Sequence, residues 1–283
     1  MSTIYERNVP LERGGKCLLI IDPQNDFHPG GSLAIASADE DAERIAKMIK
    51  EHGEEIREIY VTLDTHMKYH IAHQMFWTDG SDTKKMPDYF TTITLSDFKN
   101  GVWKPARNDP GLMEWVETYL QGLESEGRMS LTIWPEHCLV GSTGHAVRES
   151  IFKELEAWEA KHGSTVTYII KGNNSYTEHY SALRAEVPRE DDKNTQLNTH
   201  LIDCLKQHDE VLICGQAKSH CVNYTVRDLV ENWDRDKMGQ LVLIEDAMSP
   251  VQSFESEADA FIDDMKKLNL CVSTAEMAFS ARK

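Results

Sequence analysis

A cysteine delivered to the start of a helix is the feature of this 283-residue chain from which chemistry is most readily argued. The stretch Val211-Leu212-Ile213-Cys214-Gly215-Gln216-Ala217-Lys218-Ser219-His220-Cys221-Val222 reads as an apolar strand that breaks at Gly215 and turns into a helix headed by Cys221. A helix N-terminus has unpaired N–H groups and a partial positive charge, which favour a thiolate and can also hold an oxyanion. Free cysteines are also common packing residues, so the position needs partners before it implies catalysis. Three follow other strands: Asp22 after Leu19-Ile20-Ile21, Asp64 after Val61-Thr62-Leu63, and Lys171 before Gly172. Alone, such an Asp often forms a turn or cap, and such a Lys is often a solvated strand end. Together Asp22, Lys171 and Cys221 supply a base, a cation and a nucleophile. Asp64 and His66 are two residues apart, which puts both side chains on one face of an extended chain. A further ligand is available in Trp134-Pro135-Glu136-His137-Cys138, and one carboxylate with imidazoles suits Zn²⁺, Fe²⁺ or Mn²⁺. The ordinary alternative is a surface loop rich in histidine, including His70 and His73.

The elements that must position these residues alternate. Short β-branched runs at 17–21, 59–63, 166–170, 211–214, 241–244 and 270–273 are separated by helix-period segments at 39–52, 144–161, 195–207, 219–233 and 253–267. This predicts an α/β fold, a three-layer α/β/α sandwich around a mainly parallel six-stranded sheet with right-handed crossovers. Ligands of such sheets bind beyond the carboxyl ends of the strands, where the candidate residues fall. Residues 75–130 interrupt the alternation. They read as a loop-and-helix insertion, with an amphipathic helix near 112–123, whose apolar content is too small for a core of its own. The expectation is one domain over residues 1–283.

The net charge of −17 excludes the basic footprint that nucleic acid or anionic lipid requires. No apolar run approaches a membrane span, and Met1-Ser2-Thr3-Ile4-Tyr5-Glu6-Arg7 lacks the basic and apolar regions of a signal peptide, so a cytoplasmic protein with a small-molecule substrate is expected. The six cysteines form no C-x-x-C pair and no compact disulfide framework. Of these, Cys138 and Cys221 follow turn residues that would expose them.

Four blocks resemble the nicotinamidases of the isochorismatase-like cysteine hydrolase superfamily. They are Ile20-Ile21-Asp22-Pro23-Gln24-Asn25-Asp26-Phe27 with Gly30-Gly31-Ser32-Leu33; Asp64-Thr65-His66 with His70; Ile170-Lys171-Gly172 leading to Tyr180-Ser181-Ala182-Leu183; and Gly215-Gln216-Ala217 with Cys221-Val222. The resemblance implies an isochorismatase-like, Rossmann-type sheet and hydrolysis of nicotinamide to nicotinate and ammonia through a thioester, within pyridine nucleotide salvage. It implies catalytic roles for Asp22, Lys171 and Cys221, and an oxyanion hole from the N–H groups of Ala217 and Cys221 with a cis peptide between Gln216 and Ala217. It also implies a divalent ion, zinc foremost with iron or manganese as alternatives, on Asp64, His66, His137 and, as a fourth candidate, His70. Phe27, Trp134 and Tyr180 match positions that line the ring pocket. Family members often assemble into oligomers, although no stripe in this sequence identifies a surface for it. Two departures bear on the substrate. Thr65 and Met67 stand where the family's metal motif has Trp and Pro, and the segment from His70 to His137 is long, leaving Met75, Phe76, Trp77 and Trp103 as candidates for a replacement aromatic wall. A related hydrolase acting on another small amide or imide, and a catalytically silent binding protein of the same fold, are the alternative readings.

Overall fold

The computed structural model describes residues 14–125 and 130–280, so the N-terminal heptapeptide read above lies outside the described residues. Six apolar segments form strands: β1 Lys16–Ile21, β2 Ile56–Asp64, β3 Thr167–Lys171, β4 Glu210–Gly215, β5 Leu241–Ile244 and β6 Cys271–Ser273. They make one parallel sheet in the order β6-β5-β4-β1-β2-β3. Strand order reverses between β1 and β4, where a doubly wound sheet opens a crevice at its carboxyl edge. Register brings the chemistry to that edge: Ile21 pairs with Gly215, and Asp64 pairs with Lys171.

Alternation along the strands divides the core into two layers. Leu18 and Ile20 point to a cluster built with α1 (Ala38–His52) and a second helix over Glu149–His162, through Ile45, Met48, Ile151 and Trp158. Cys17, Leu19 and Ile21 point to the other cluster, which takes in helices Cys221–Glu231 and Glu255–Lys267 through Val222, Leu229 and Phe261. Both sheet faces are therefore covered, as near-continuous apolar strands require. No helix among the described residues is long and apolar enough to cross a membrane.

Several helices begin later than periodicity alone suggests. The segment expected at 195–207 is helical only over Thr199–Leu205, since the Asn198 side chain accepts from the Leu201 N–H at 3.1 Å and sets the start there. The segment expected from residue 144 starts at Glu149, after a separate turn at Thr143–His145 capped by Ser142. The helix expected from residue 219 starts at Cys221 itself.

The insertion contains more structure than a loop and one helix. Its main helix covers Leu112–Ser125, and a short one, Leu95–Lys99, opens with a reciprocal capping box between Thr94 and Asp97. Two antiparallel ladders tie it down, Trp77–Thr78 against Lys104–Pro105 and Thr92–Ile93 against Leu131–Thr132. Phe76, Trp77, Val116, Tyr119 and Leu120 lie in the same cluster as Leu19 and Ile213, so the insertion extends the core of the sheet. Neither Cys138 nor Cys221 is exposed by its turn, with 0% and 6% of their surfaces accessible; Cys138 shows why. Its backbone turns through positive φ, but the side chain is fully buried and its N–H donates to Asp26 Oδ2 at 2.7 Å.

Candidate active site

At the carboxyl edge between β1 and β4, Asp22 takes a positive φ of 44° and is fully buried. Its N–H donates to Thr62 Oγ1, and the Thr62 hydroxyl donates to Asp22 Oδ1. That leaves Oδ2 facing Lys171 Nζ at 2.9 Å. The same ammonium lies 2.9 Å from Asp64 Oδ1, donates to the His179 carbonyl at 2.9 Å, and is 3.5 Å from Cys221 Sγ. Gly172 makes room for this cluster, because a Cβ there would come within 2.7 Å of Asp64 Oδ1. Gly215, at φ 111°, lets β4 approach β1, since a Cβ would meet the Ile21 carbonyl at 2.1 Å. The chain then folds back, with the His220 and Val222 N–H groups donating to Ala217 O at 3.0 and 3.1 Å, and the Gln216–Ala217 peptide is cis.

The electrostatics reverse one sequence expectation. Burial pushes the Cys221 thiol well above its ordinary range; Lys171 opposes this, while Asp22 and Asp64 add to it. Burial thus disfavours the thiolate, opposite in direction to the effect expected from the helix N-terminus. Burial also raises the Asp22 carboxyl, against the pull of Lys171, which makes it a stronger base than an exposed carboxylate. Burial disfavours the Lys171 ammonium, but Asp22 and Asp64 outweigh it and hold its pKa well above the usual lysine value.

Asp64 also faces a histidine cluster. Its Oδ2 is 3.4 Å from His66 Nδ1 and 3.2 Å from His137 Nε2, and burial of the carboxyl is outweighed by His66 and Lys171, which hold it well below the usual range. Ligand atoms of His66, His73 and His137 lie within 4.8 Å of one another, and so do those of His66, His70 and Glu178. Backbone partners decide which ring nitrogens offer lone pairs. His137 Nδ1 is 2.8 Å from the Pro135 carbonyl and His73 Nδ1 is 3.3 Å from the Lys68 carbonyl. A carbonyl only accepts, so both rings carry their proton on Nδ1 and leave Nε2 free. His66 presents Nε2 to the Glu178 carboxylate at 3.3 Å, so a singly protonated ring carries its proton there and turns a non-hydrogen-bonded Nδ1 toward Asp64. His70 is the opposite case, because its Nδ1 accepts from the Ala72 N–H at 3.2 Å and its proton must sit on Nε2.

These donors fit a divalent ion. His66 Nδ1 and His73 Nε2 are buried without a hydrogen-bond partner among the described residues, and His137 Nε2 lies 3.2 Å from the Asp64 carboxylate, a contact that needs a proton or a metal cation between the two atoms. Tetrahedral ligands at about 2.0–2.1 Å from a metal stand about 3.4 Å apart, close to the two Asp64 separations. Of the four sequence candidates, Asp64, His66 and His137 are brought together with free donor atoms. His70 stands beside them with its proton where a lone pair would be needed. His73, expected in a surface loop, is buried with Nδ1 on the Lys68 carbonyl and Nε2 turned to the cluster.

A narrow cleft opens over Cys221, and the three expected pocket residues line it: Phe27, Trp134 and Tyr180. Trp134 Nε1 donates to Tyr180 Oη at 3.1 Å, and the Phe27 ring meets His137 edge-on at 5.5 Å. Leu33, His220 and Val251 also line it, and Asp64, His137 and Glu178 reach it from the histidine cluster. Sequence reasoning missed His220 although it adjoins the nucleophile; burial drives its pKa down to about 4, so it is a neutral ring against Trp134. Phe76 and Trp77 are buried in the core and Met75 is exposed, and none of these three, nor Trp103, lines the cleft. Thr65 turns away, donating to the Leu63 carbonyl and meeting His145 Nε2 at 2.9 Å. The Gln24 of the first motif clamps the two strand ends together, donating to Asp64 O and accepting from Asp64 N, both at 2.7 Å.

Comparison with known proteins finds relatives at the level of the whole chain. Over 222 residues the chain is 25% identical to the nicotinamidase of Escherichia coli, covering 76% of each chain. It is 28% identical over 222 residues to that of Acinetobacter baylyi, covering 77% of this chain and 76% of the relative. The chain resembles nicotinamidases. Among solved structures, an Acinetobacter baumanii nicotinamidase/pyrazinamidase superposes with a TM-score of 0.62 at 20% identity, covering 95% of this chain and 99% of that one. The Pyrococcus horikoshii pyrazinamidase, solved in complex with zinc, gives 0.53 at 17%, with coverage of 92% and 99%. At these identities the superpositions show the fold, which is the isochorismatase-like one of the nicotinamidases. No family model matches the chain.

Proposed function

We propose that this protein converts nicotinamide to nicotinate and ammonia with Cys221 as the nucleophile. At the level of reaction class it is a hydrolase of carbon–nitrogen bonds in amides, the class on which the curated relatives agree. The observation that carries the finer reading is the convergence of Asp22, Lys171 and Cys221 on one ammonium, with distances of 2.9 Å to Asp22 and 3.5 Å to the sulfur. Asp22 takes the thiol proton as sulfur attacks the amide carbon, and Lys171 compensates the charge that the buried site would otherwise disfavour. The N–H groups of Ala217 and Cys221 receive the tetrahedral oxyanion. Asp22 returns its proton to the amine, the C–N bond breaks and ammonia leaves. Asp22 then takes a proton from water, whose oxygen attacks the thioester carbonyl; the C–S bond breaks, nicotinate leaves and the thiol is restored.

Asp64, His66, His73 and His137 would hold a divalent ion, zinc foremost, iron or manganese otherwise. Bound there, it supplies a Lewis acid for the pyridine nitrogen. Phe27, Trp134, Tyr180 and His220 would sandwich the ring. We read the chain as one domain, with the insertion as part of it, acting as a cytoplasmic enzyme of pyridine nucleotide salvage; six free cysteines suit a reducing compartment. A second small amide remains a specific rival, because Thr65 points away from the cleft where the family motif has an aromatic ring. Ammonia release from nicotinamide, pyrazinamide and aliphatic amides separates the two. Turnover confined to the aromatic amides supports nicotinamide; faster turnover of an aliphatic amide contradicts it.

A further inference from the structure

The loop that follows β3 brings a second carboxylate to the histidine cluster, and no step above uses it. Glu178 is buried, with 3% of its surface exposed, in a site already holding Asp64. Its Oε1 accepts from its neighbour's backbone, the His179 N–H at 2.8 Å, which fixes the carboxylate in place. The same oxygen lies 3.3 Å from His66 Nε2, on the opposite side of the ring from Asp64. A ring nitrogen of His70 lies within 4.8 Å of the Glu178 carboxylate and of His66, and the His66 and His70 ring centroids are 4.4 Å apart. Since Ala72 N–H occupies His70 Nδ1, this second ring cannot turn a free Nε2 lone pair toward an ion.

We propose that Glu178 is a positioning residue for the metal centre. It accepts the His66 Nε2–H and so commits that ring to bind the ion through Nδ1. The inference rests on the reading that Asp64, His66, His73 and His137 hold the ion. A carboxylate on the far nitrogen of a ligating imidazole fixes its tautomer and orientation and raises its basicity, and losing it typically weakens metal binding 10–100-fold. His137 and His73 use neutral backbone carbonyls for the same purpose, so His66 is the ligand whose strength depends on a charged side chain.

The test is zinc binding by the full chain after removal of metal with a chelator, read by competition with a chromophoric chelator. Wild type is expected to take up one zinc per chain. Glu178→Ala is expected to bind it about 100-fold more weakly and Glu178→Gln, whose amide oxygen still accepts, about 10-fold more weakly, with the metal-free melting temperatures unchanged. Affinities within twofold of wild type in both variants overturn the proposal. So does uptake of two zinc ions by wild type that falls to one in Glu178→Ala, which would make Glu178 a ligand of a second ion. A readout independent of the variants is the ¹⁵N spectrum of the zinc-loaded wild type: His66 with a protonated Nε2 and a metal-bound Nδ1 supports the proposal, and the reverse overturns it. Wild type that takes up no zinc, or His137→Ala that keeps full affinity, refutes the underlying metal reading and the proposal with it. Failure in the Glu178 variants alone leaves the metal reading intact.

Discussion

The nucleophile side and the metal side of this site are held by different physics. Asp22, Lys171 and Cys221 stand at or just beyond strand ends, so the register of a buried parallel sheet places them, and the contacts that remain are between charges. His66, His73 and His137 stand on loops, and the backbone carbonyls of Lys68 and Pro135 together with the Glu178 carboxylate choose which nitrogen each ring offers. Asp64 belongs to both sides, with Oδ1 on Lys171 and Oδ2 on the two histidines. The difference teaches that one half is built to fix charge and the other to fix lone-pair direction. Mutations should therefore separate them everywhere except at Asp64 and Lys171.

The largest separation is expected from Cys221→Ala. Its kcat should fall by a factor on the order of 10⁴ or more, with bound metal unchanged by elemental analysis. Equal loss of metal would show that the two halves are one unit. Lys171→Met is expected to breach the division. It leaves two buried carboxylates without their shared cation, and thermal or denaturant unfolding should show a loss of about 3–5 kcal/mol. A variant as stable as wild type would mean that the ammonium is not what holds Asp22 and Asp64 together.

Within the metal side, His73→Ala should weaken zinc binding more than His70→Ala does, because the first ring offers a lone pair and the second a proton. Competition titration of both variants gives the order, and the reverse order contradicts the tautomer assignment. The smallest effect is general to the buried rings. Burial lowers the pKa values of His179 and His220 to about 4, so the unfolded chain binds protons that the folded chain refuses. Their stabilisation is complete above the unfolded-state value near pH 6.5 and is lost as pH falls toward 4, by at most about 1.4 kcal/mol per pH unit for each ring. Melting temperatures measured between pH 7 and 4.5 should fall accordingly, and His220→Phe should reduce the slope.

The strand ends were legible because a short apolar run followed by Asp, Lys or Gly says both where a strand stops and which edge its last residue faces. Leu241–Ile244 was bounded correctly by its apolar run alone. The thiol's protonation was not legible, since helix-end placement is local whereas desolvation comes from the whole fold around Cys221. The choice between His70 and His73 was equally hidden. It turns on whether Nδ1 meets Ala72 N–H or Lys68 carbonyl, a detail of loop path that spacing does not encode. Glu178 lay two residues from the recognised Tyr180 and carried no spacing signal. The Thr94-Leu95-Ser96-Asp97 cap, by contrast, was written in the sequence and marks a helix that periodicity is too short to reveal.

If Cys221 attacks a pyridine carboxamide, the acyl group must pass through its sulfur. The most direct measurement mixes the metal-loaded protein with nicotinamide, quenches it in acid during turnover, and locates any acyl group by peptide mass spectrometry. A pyridine-3-carbonyl thioester is expected on the Cys221 peptide, absent from Cys221→Ala, which also releases no ammonia. Ammonia release that persists in Cys221→Ala, or an acyl group found on another residue, would contradict it.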